Sequence, residues 1–255
     1  MRWGVVVVTE KDGEILLFEQ HEHARVCGEL ARLWRDDYFI GHKYKDSVIY
    51  AIDEHDNGWI ELDQYPLVNE ETKLPYSFVD YPLTPKLEAY VNGINRIAEC
   101  DPYAGLICSL HYASFFEHYT NGRGQDFLCQ ERRRQNKLRQ YVSVNFASLK
   151  FHYDLLQFCD NLSLYLCMND PGVNKEEEFS WFRRGFSQVF PYNNHQKIIA
   201  HWLDRETVSV TAFPFCREVT VSLDYKTIRR SQLPSLQYQY EHSEVKQRVV
   251  TLVKG

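Results

Sequence analysis

Apolar and polar positions change rhythm twice along this chain. Residues 4–20 alternate on either side of KDG, a turn signal between β-rich runs, and predict a hairpin. From residue 22 the spacing lengthens to three and four. HEHARVCGELARLW places Val26, Leu30 and Leu33 on one helical face. DSVIYAIDEHD predicts a second helix that opens at Asp46, a favourable N-cap residue, and stops before Gly58. Helical spacing resumes over 86–99, 103–119, 127–140 and 146–168. Between these helices, residues 62–87 are too rich in proline to form one helix and predict a long ordered loop, either a lid or a packed structural cover. NDPGVNKEEE, residues 169–178, is a polar turn. Beyond it the rhythm returns to two, and TVSVTAF, REVTVSLDY and QRVVTLV predict strands. The expected fold is one mainly α domain over residues 1–255. It has a helical core over 22–168 and a small β-sheet, an appendage made from residues 1–20 and 205–255.

Composition leaves this picture in place and narrows the setting. Of the 255 residues 44% are hydrophobic and 25% charged, as in an ordinary soluble globular protein. No apolar run is long enough to span a membrane. The opening MRWGVVVVTEKDGEILLFEQ has too short an apolar core for a secretory signal, so a cytoplasmic protein with no membrane partner is expected. A net charge of −6 disfavours nucleic acid as a partner. The seven cysteines are odd in number and lack CxxC spacing, which argues for buried thiols over a disulfide framework or a cysteine zinc cluster.

Candidate chemistry begins with Asp160. It stands in LLQFCDNLSLYLC among leucines and a phenylalanine, where a buried carboxylate is costly unless something pairs with it. Either the helix turns Asp160 to solvent, alongside Asn161 and Ser163, or the carboxylate meets a cation. Upstream, His23 opens one helix and the adjacent His55 and Asp56 close the next.

His23, His55-Asp56 and Asp160, all on helices, resemble the H…HD…D signature of the HD-domain metal-dependent phosphohydrolase superfamily. HARVCGELA resembles its first motif helix, EHDNG its second and LLQFCDNLSLYL its last. HEHARVCGELA, EHDNGW, ICSLHYASF, CDNLSLYLC and AFPF are similar to a bacterial family described as domain of unknown function 3891, a resemblance that covers nearly the whole chain. The superfamily resemblance covers residues 22–168 and implies an HD-like helical core. There His23, His55, Asp56 and Asp160 converge as ligands of one divalent metal, and Asp56 is catalytic. Two imidazoles and two carboxylates suit iron, manganese, zinc or magnesium in different degrees. The implied activity is hydrolysis of a small phosphoester or nucleotide by metal-activated water.

His111, in ICSLHYASFFEH, is either a hydrogen-bonded core histidine or faces the metal pocket as a catalytic, ligand or substrate-contacting residue. His118 lies seven residues further along the helix, roughly 10 Å away, and His152 is eight residues before Asp160, so neither shares an ion with its neighbour. Many superfamily members carry a phosphate-binding lysine just after the HD-Gly segment. Here Trp59 follows, either as a stacking surface for substrate or as a core tryptophan, the latter favoured by the general burial of tryptophan. Asp63 is a candidate substrate contact at the pocket mouth, against a default of surface exposure. The basic run ERRRQNKLRQ reads as a solvated helix face in preference to an anion site. Three readings stay open: a hydrolase of a small, phosphorylated substrate; an HD-type di-iron oxygenase, with His111 helping to hold a second iron; and a non-catalytic protein with a structural or vestigial metal site.

Overall fold

The structure, a computed structural model, describes residues 6–255, so the first two residues of the expected hairpin region lie outside the described residues. Strand β1 (Val6–Lys11) returns as β2 (Glu14–Glu19) through Asp12 and Gly13, both with positive φ, the type I′ geometry that KDG favours. Helices α1 (Gln20–Arg32) and α2 (Lys45–Glu54) follow, then the short α3 (Ile60–Asp63), α4 (Leu83–Cys100), α5 (Pro102–Ser114), α6 (Gly122–Leu138) and α7 (Phe146–Met168). The chain then forms β3 (Ala200–Trp202), β4 (Thr207–Val210), the eleven-residue β5 (Val219–Arg229), α8 (Leu236–His242) and β6 (Lys246–Lys254). Local signals agree with these starts. Asp101 accepts hydrogen bonds from the Tyr103 and Ala104 N–H groups ahead of α5, and Asn145 accepts one from Ser148 ahead of α7. Asp46 is not the cap expected of it. It sits inside the first turn of α2, where its charge still complements the helix dipole.

The sheet corrects the expectation of a mainly α fold with a small appendage. Six strands form one curled, mixed sheet in the order β1-β2-β5-β6-β4-β3, with only the β4–β6 pair parallel. The length of β5 is the physical reason. Its last residues, Lys226–Arg229, pair with β2, and its first, Val219–Tyr225, pair with β6, so the N-terminal hairpin and the C-terminal strands merge into one surface. Both faces of β2 are covered. Phe18 joins the main core, whereas Ile15 and Leu17 pack with Leu233, Leu236 and Tyr240 in a second core around α8.

The sheet is tied to the helices by Arg248 of β6. Its guanidinium donates to the carbonyls of Leu166, Cys167 and Asn169, the open C-terminal end of α7, and lies over the Phe18 ring. Helices α1, α2, α5 and α7 pack against one another on the other side. All seven cysteines are free, and Cys27, Cys108, Cys159 and Cys167 are buried. Among the described residues no helix is long and apolar enough to cross a membrane. In the basic run, Arg132, Arg133, Lys137 and Arg139 are exposed, while Arg134 pairs with the buried Glu131.

Candidate metal centre

Gly58 explains how the segment carrying His55 and Asp56 is seated. It does not terminate a helix through a left-handed residue, as its position after α2 suggests. A Cβ there would lie 2.4 Å from the Ala89 carbonyl oxygen of α4 and 3.5 Å from Gly93 Cα. The glycine lets the turn after α2 lie directly on α4, and Arg96 of α4 donates to the Asn57 carbonyl at 2.7 Å. With the turn held there, His55 and Asp56 face inward between α1, α5 and α7.

Four side chains from distant parts of the chain meet at this point. His23 Nε2 lies 3.1 Å from Asp56 Oδ2 and 3.5 Å from Asp160 Oδ1. His55 Nε2 lies 3.5 Å from Asp56 Oδ2 and 3.8 Å from Asp160 Oδ1. Asp160 is therefore turned inward, not to solvent. His111 stands beside them with Nε2 3.8 Å from Asp160 Oδ2, and its ring meets that of His55 edge-on. All five residues are buried.

The surrounding hydrogen bonds orient this group. His55 Nδ1–H donates to the Ile52 carbonyl at 2.8 Å, so its Nε2 faces the carboxylates, and that nitrogen has no hydrogen-bond partner. The Tyr112 hydroxyl donates to Asp56 Oδ1 and also lies 3.0 Å from the His55 carbonyl. The backbone of His23 is fixed from α7, where Ser163 donates to its carbonyl at 3.0 Å.

Charge follows from burial and proximity. Burial works against ionisation of Asp56, but His55, His23 and the Tyr112 hydrogen bond outweigh it and hold the carboxyl below its usual range. Asp160 is likewise lowered, burial being overcome by His55, His111 and His23. Burial also disfavours the His55 cation, yet Asp56 and Asp160 raise its pKa to about 9. For His111 burial prevails and pushes the pKa down to about 4, leaving a neutral imidazole at physiological pH.

Two buried, ionised carboxylates facing three imidazoles form a donor set for a divalent cation. The Nε2 of His55, which has no hydrogen-bond partner, would give up its proton to bind such an ion. His55, His111 and Asp160 lie close enough to share one ion, as do His23, Cys27 and His55. Burial raises the Cys27 pKa well above its usual value, and the thiol donates to the His23 carbonyl at 3.2 Å, so Cys27 is the weaker candidate.

His23, Asp56, His111 and Asp160 form one wall of a cavity of about 340 Å³; His55 is not in that wall. Trp59 is both core and lining: buried, it meets Tyr81 and Tyr90 edge-on and faces the cavity. Of the expected 62–87 loop, residues from Leu83 onward belong to α4; the remainder lends Phe78 and Val79 to the cavity wall, with Asn69 and Ser77 hydrogen-bonded to Asp80. Asp63 departs from expectation. It is buried and accepts the Gln20 N–H at 2.7 Å, in the first turn of α1 three residues before His23, and does not line the pocket. His118 is exposed, and His152 is buried elsewhere, donating to the Ile40 carbonyl at 2.7 Å. Tyr112 and Lys86 are the functional candidates that sequence reasoning missed. Tyr112 was detectable only as the neighbour of His111.

A family model described as "Protein of unknown function (DUF3891)" matches residues 6–230, and the chain belongs to that family. No curated protein and no solved structure matches it.

Proposed function

We propose that this protein carries an HD-type metal centre and hydrolyses a small phosphoester. His23, His55, Asp56 and Asp160 would hold one divalent cation, with iron, manganese, zinc and magnesium as candidates. The observation that carries the reading is the convergence of two ionised carboxylates on the unpartnered imidazole nitrogen of buried His55, in a cluster whose His23, Asp56, His111 and Asp160 line a cavity. A divalent cation held there supplies Lewis acidity toward a phosphoryl oxygen and lowers the pKa of water at the site.

The chain's own groups supply the rest. Tyr112 orients Asp56 through its hydroxyl. Neutral His111, whose Nδ1 has no hydrogen-bond partner, is available to contact the reacting group or exchange a proton with it. Trp59, Tyr90 and Phe116 form buried apolar walls that exclude bulk water. A one-ion hydrolase is preferred to a di-iron oxygenase because His111 is the additional histidine at the cluster, while His118 and His152 lie away from it.

Metal analysis of the purified protein, with turnover of p-nitrophenyl phosphate, tests this. Wild type should retain about one ion per chain, and Asp56→Ala should lose both metal and turnover. Tyr112→Phe should weaken metal affinity by the 10–100-fold typical of a lost outer-shell partner. A wild-type protein without exchangeable metal, whose melting temperature ignores chelators, would overturn the proposal.

A further inference from the structure

Lys86 is a cation placed where local structure does not favour one. It lies in the first turn of α4, an 18-residue helix with no acidic residue in that turn and no side-chain cap. A positive charge at the positive end of a helix is unfavourable. Lys86 forms no ion pair among the described residues. Its ammonium donates instead to the carbonyls of Phe78 at 2.7 Å and Val79 at 3.3 Å, which accounts for two of its three protons. Burial lowers its pKa, with Asp80 opposing. Local rules are broken in this way at functional or strained positions.

Lys86 lines the same cavity as the metal cluster and is the one cationic side chain in its wall among the described residues. The arginines of the basic run are not in that wall. A divalent ion offset by Asp56 and Asp160 would leave Lys86 as close to one surplus positive charge in the pocket, which suits one anionic group better than a polyphosphate chain. Its mouth is apolar. Trp181, Phe115 and Tyr119 line it while remaining 51%, 43% and 37% exposed, and the Trp181 ring meets Phe78, whose carbonyl holds Lys86. Large aromatic side chains left in water around a pocket offer a surface for a flat or apolar group.

We infer that the substrate is a small, singly phosphorylated molecule with an aromatic or apolar body, its anionic group paired with Lys86 and its body seated against Trp181 and Phe115. This inference rests on the hydrolase reading for the identity of the anion as a phosphoryl group. Lys86 is a substrate-binding residue here and not a metal ligand.

Binding of phenylphosphonate, which cannot be hydrolysed as an ester, tests the inference without requiring activity. Titrations followed by tryptophan fluorescence and calorimetry would compare wild type, Lys86→Gln, Lys86→Arg and Trp181→Ala, with metal content measured on each sample. Phenylphosphonate should bind wild type at least tenfold more tightly than methylphosphonate. Lys86→Gln should lose tenfold or more of that affinity at unchanged metal content, Lys86→Arg should recover most of it, and Trp181→Ala should erase the preference for the phenyl compound. Equal affinity in wild type and Lys86→Gln, or no preference for the phenyl group, overturns the inference. If Lys86→Gln lowers only the melting temperature and leaves affinity intact, the residue is a loop tether and the inference again fails. Lys86-dependent binding by a wild-type protein that holds no metal sinks the hydrolase reading and leaves the anion site standing.

Discussion

Replacing Gly58 by alanine should damage this protein far more than its place in a turn suggests. The added Cβ would stand 2.4 Å from the Ala89 carbonyl oxygen and 3.0 Å from the carbonyl carbon, both main-chain atoms of α4. An ordinary contact between carbon and a carbonyl oxygen is about 3.3 Å or longer, so the overlap is close to a full ångström. No side-chain rotation relieves it; α4 or the turn must move. Overpacking of this kind costs roughly 1–3 kcal/mol, and the rigid partner puts Gly58→Ala at the upper end. At about 2–4 °C per kcal/mol for a chain of this size, the melting temperature should fall by roughly 6–12 °C. The damage should also reach the site, because Asp56 is two residues away and its carbonyl accepts the Trp59 N–H at 2.9 Å within the same turn. Gly122 is the control. It has positive φ and nothing within 4 Å, so alanine there should cost about 1–2 kcal/mol of backbone strain and leave metal retention unchanged. Thermal unfolding with metal analysis on both variants decides the matter. A Gly58→Ala protein that melts with wild type and keeps its metal would refute the close-approach argument.

Two further outcomes follow from buried titratable groups. Burial, then the neighbouring Glu19, raise the Asp63 pKa well above the usual carboxyl value, so the folded protein keeps a proton that the unfolded chain releases near pH 3.9. Folding stability from this group is therefore full below that pH and declines as pH rises. Asp63→Asn should match or exceed wild type at pH 7, whereas Asp63→Ala, which loses the acceptor for the Gln20 N–H, should cost about 0.5–2 kcal/mol; denaturant titrations showing asparagine as harmful as alanine would contradict this. His152 works in the other direction. Burial lowers its pKa from 6.5 to about 4, so it stays neutral in the fold while the unfolded chain takes up a proton. Its contribution is present above pH 6.5 and lost as pH falls toward 4, up to about 3 kcal/mol in all. The stability difference between wild type and His152→Gln should shrink across that window, and parallel pH profiles would rule the mechanism out.

The local alphabet of this fold was legible in the chain itself. The Asp-Gly turn and the period of the helices depend on near neighbours; α4 and α7 fall within three residues of their expected bounds, whereas α5 ends five residues short of its expected end and α6 begins five residues early. The residues of the candidate centre were singled out by their resemblance to the H…HD…D signature, while the position of Asp160 among leucines left open whether it met solvent or a cation. What pairs with what was decided only in three dimensions. Nothing local to REVTVSLDY says that β5 will run on to Arg229 and serve two neighbours, and that extension turns a small appendage into a six-stranded sheet. Asp63 reads as a surface acid until α1 is set down on it, Gly58 reads as a helix stop until α4 lies against it, and Lys86 sits 30 residues from the nearest cluster histidine or aspartate that precedes it. Side-chain chemistry is carried by the residue, but burial, charge neighbours and steric limits belong to the packing of distant segments. For this protein, the candidate residues could be picked out from sequence, and their assembly beside one pocket came from the tertiary structure.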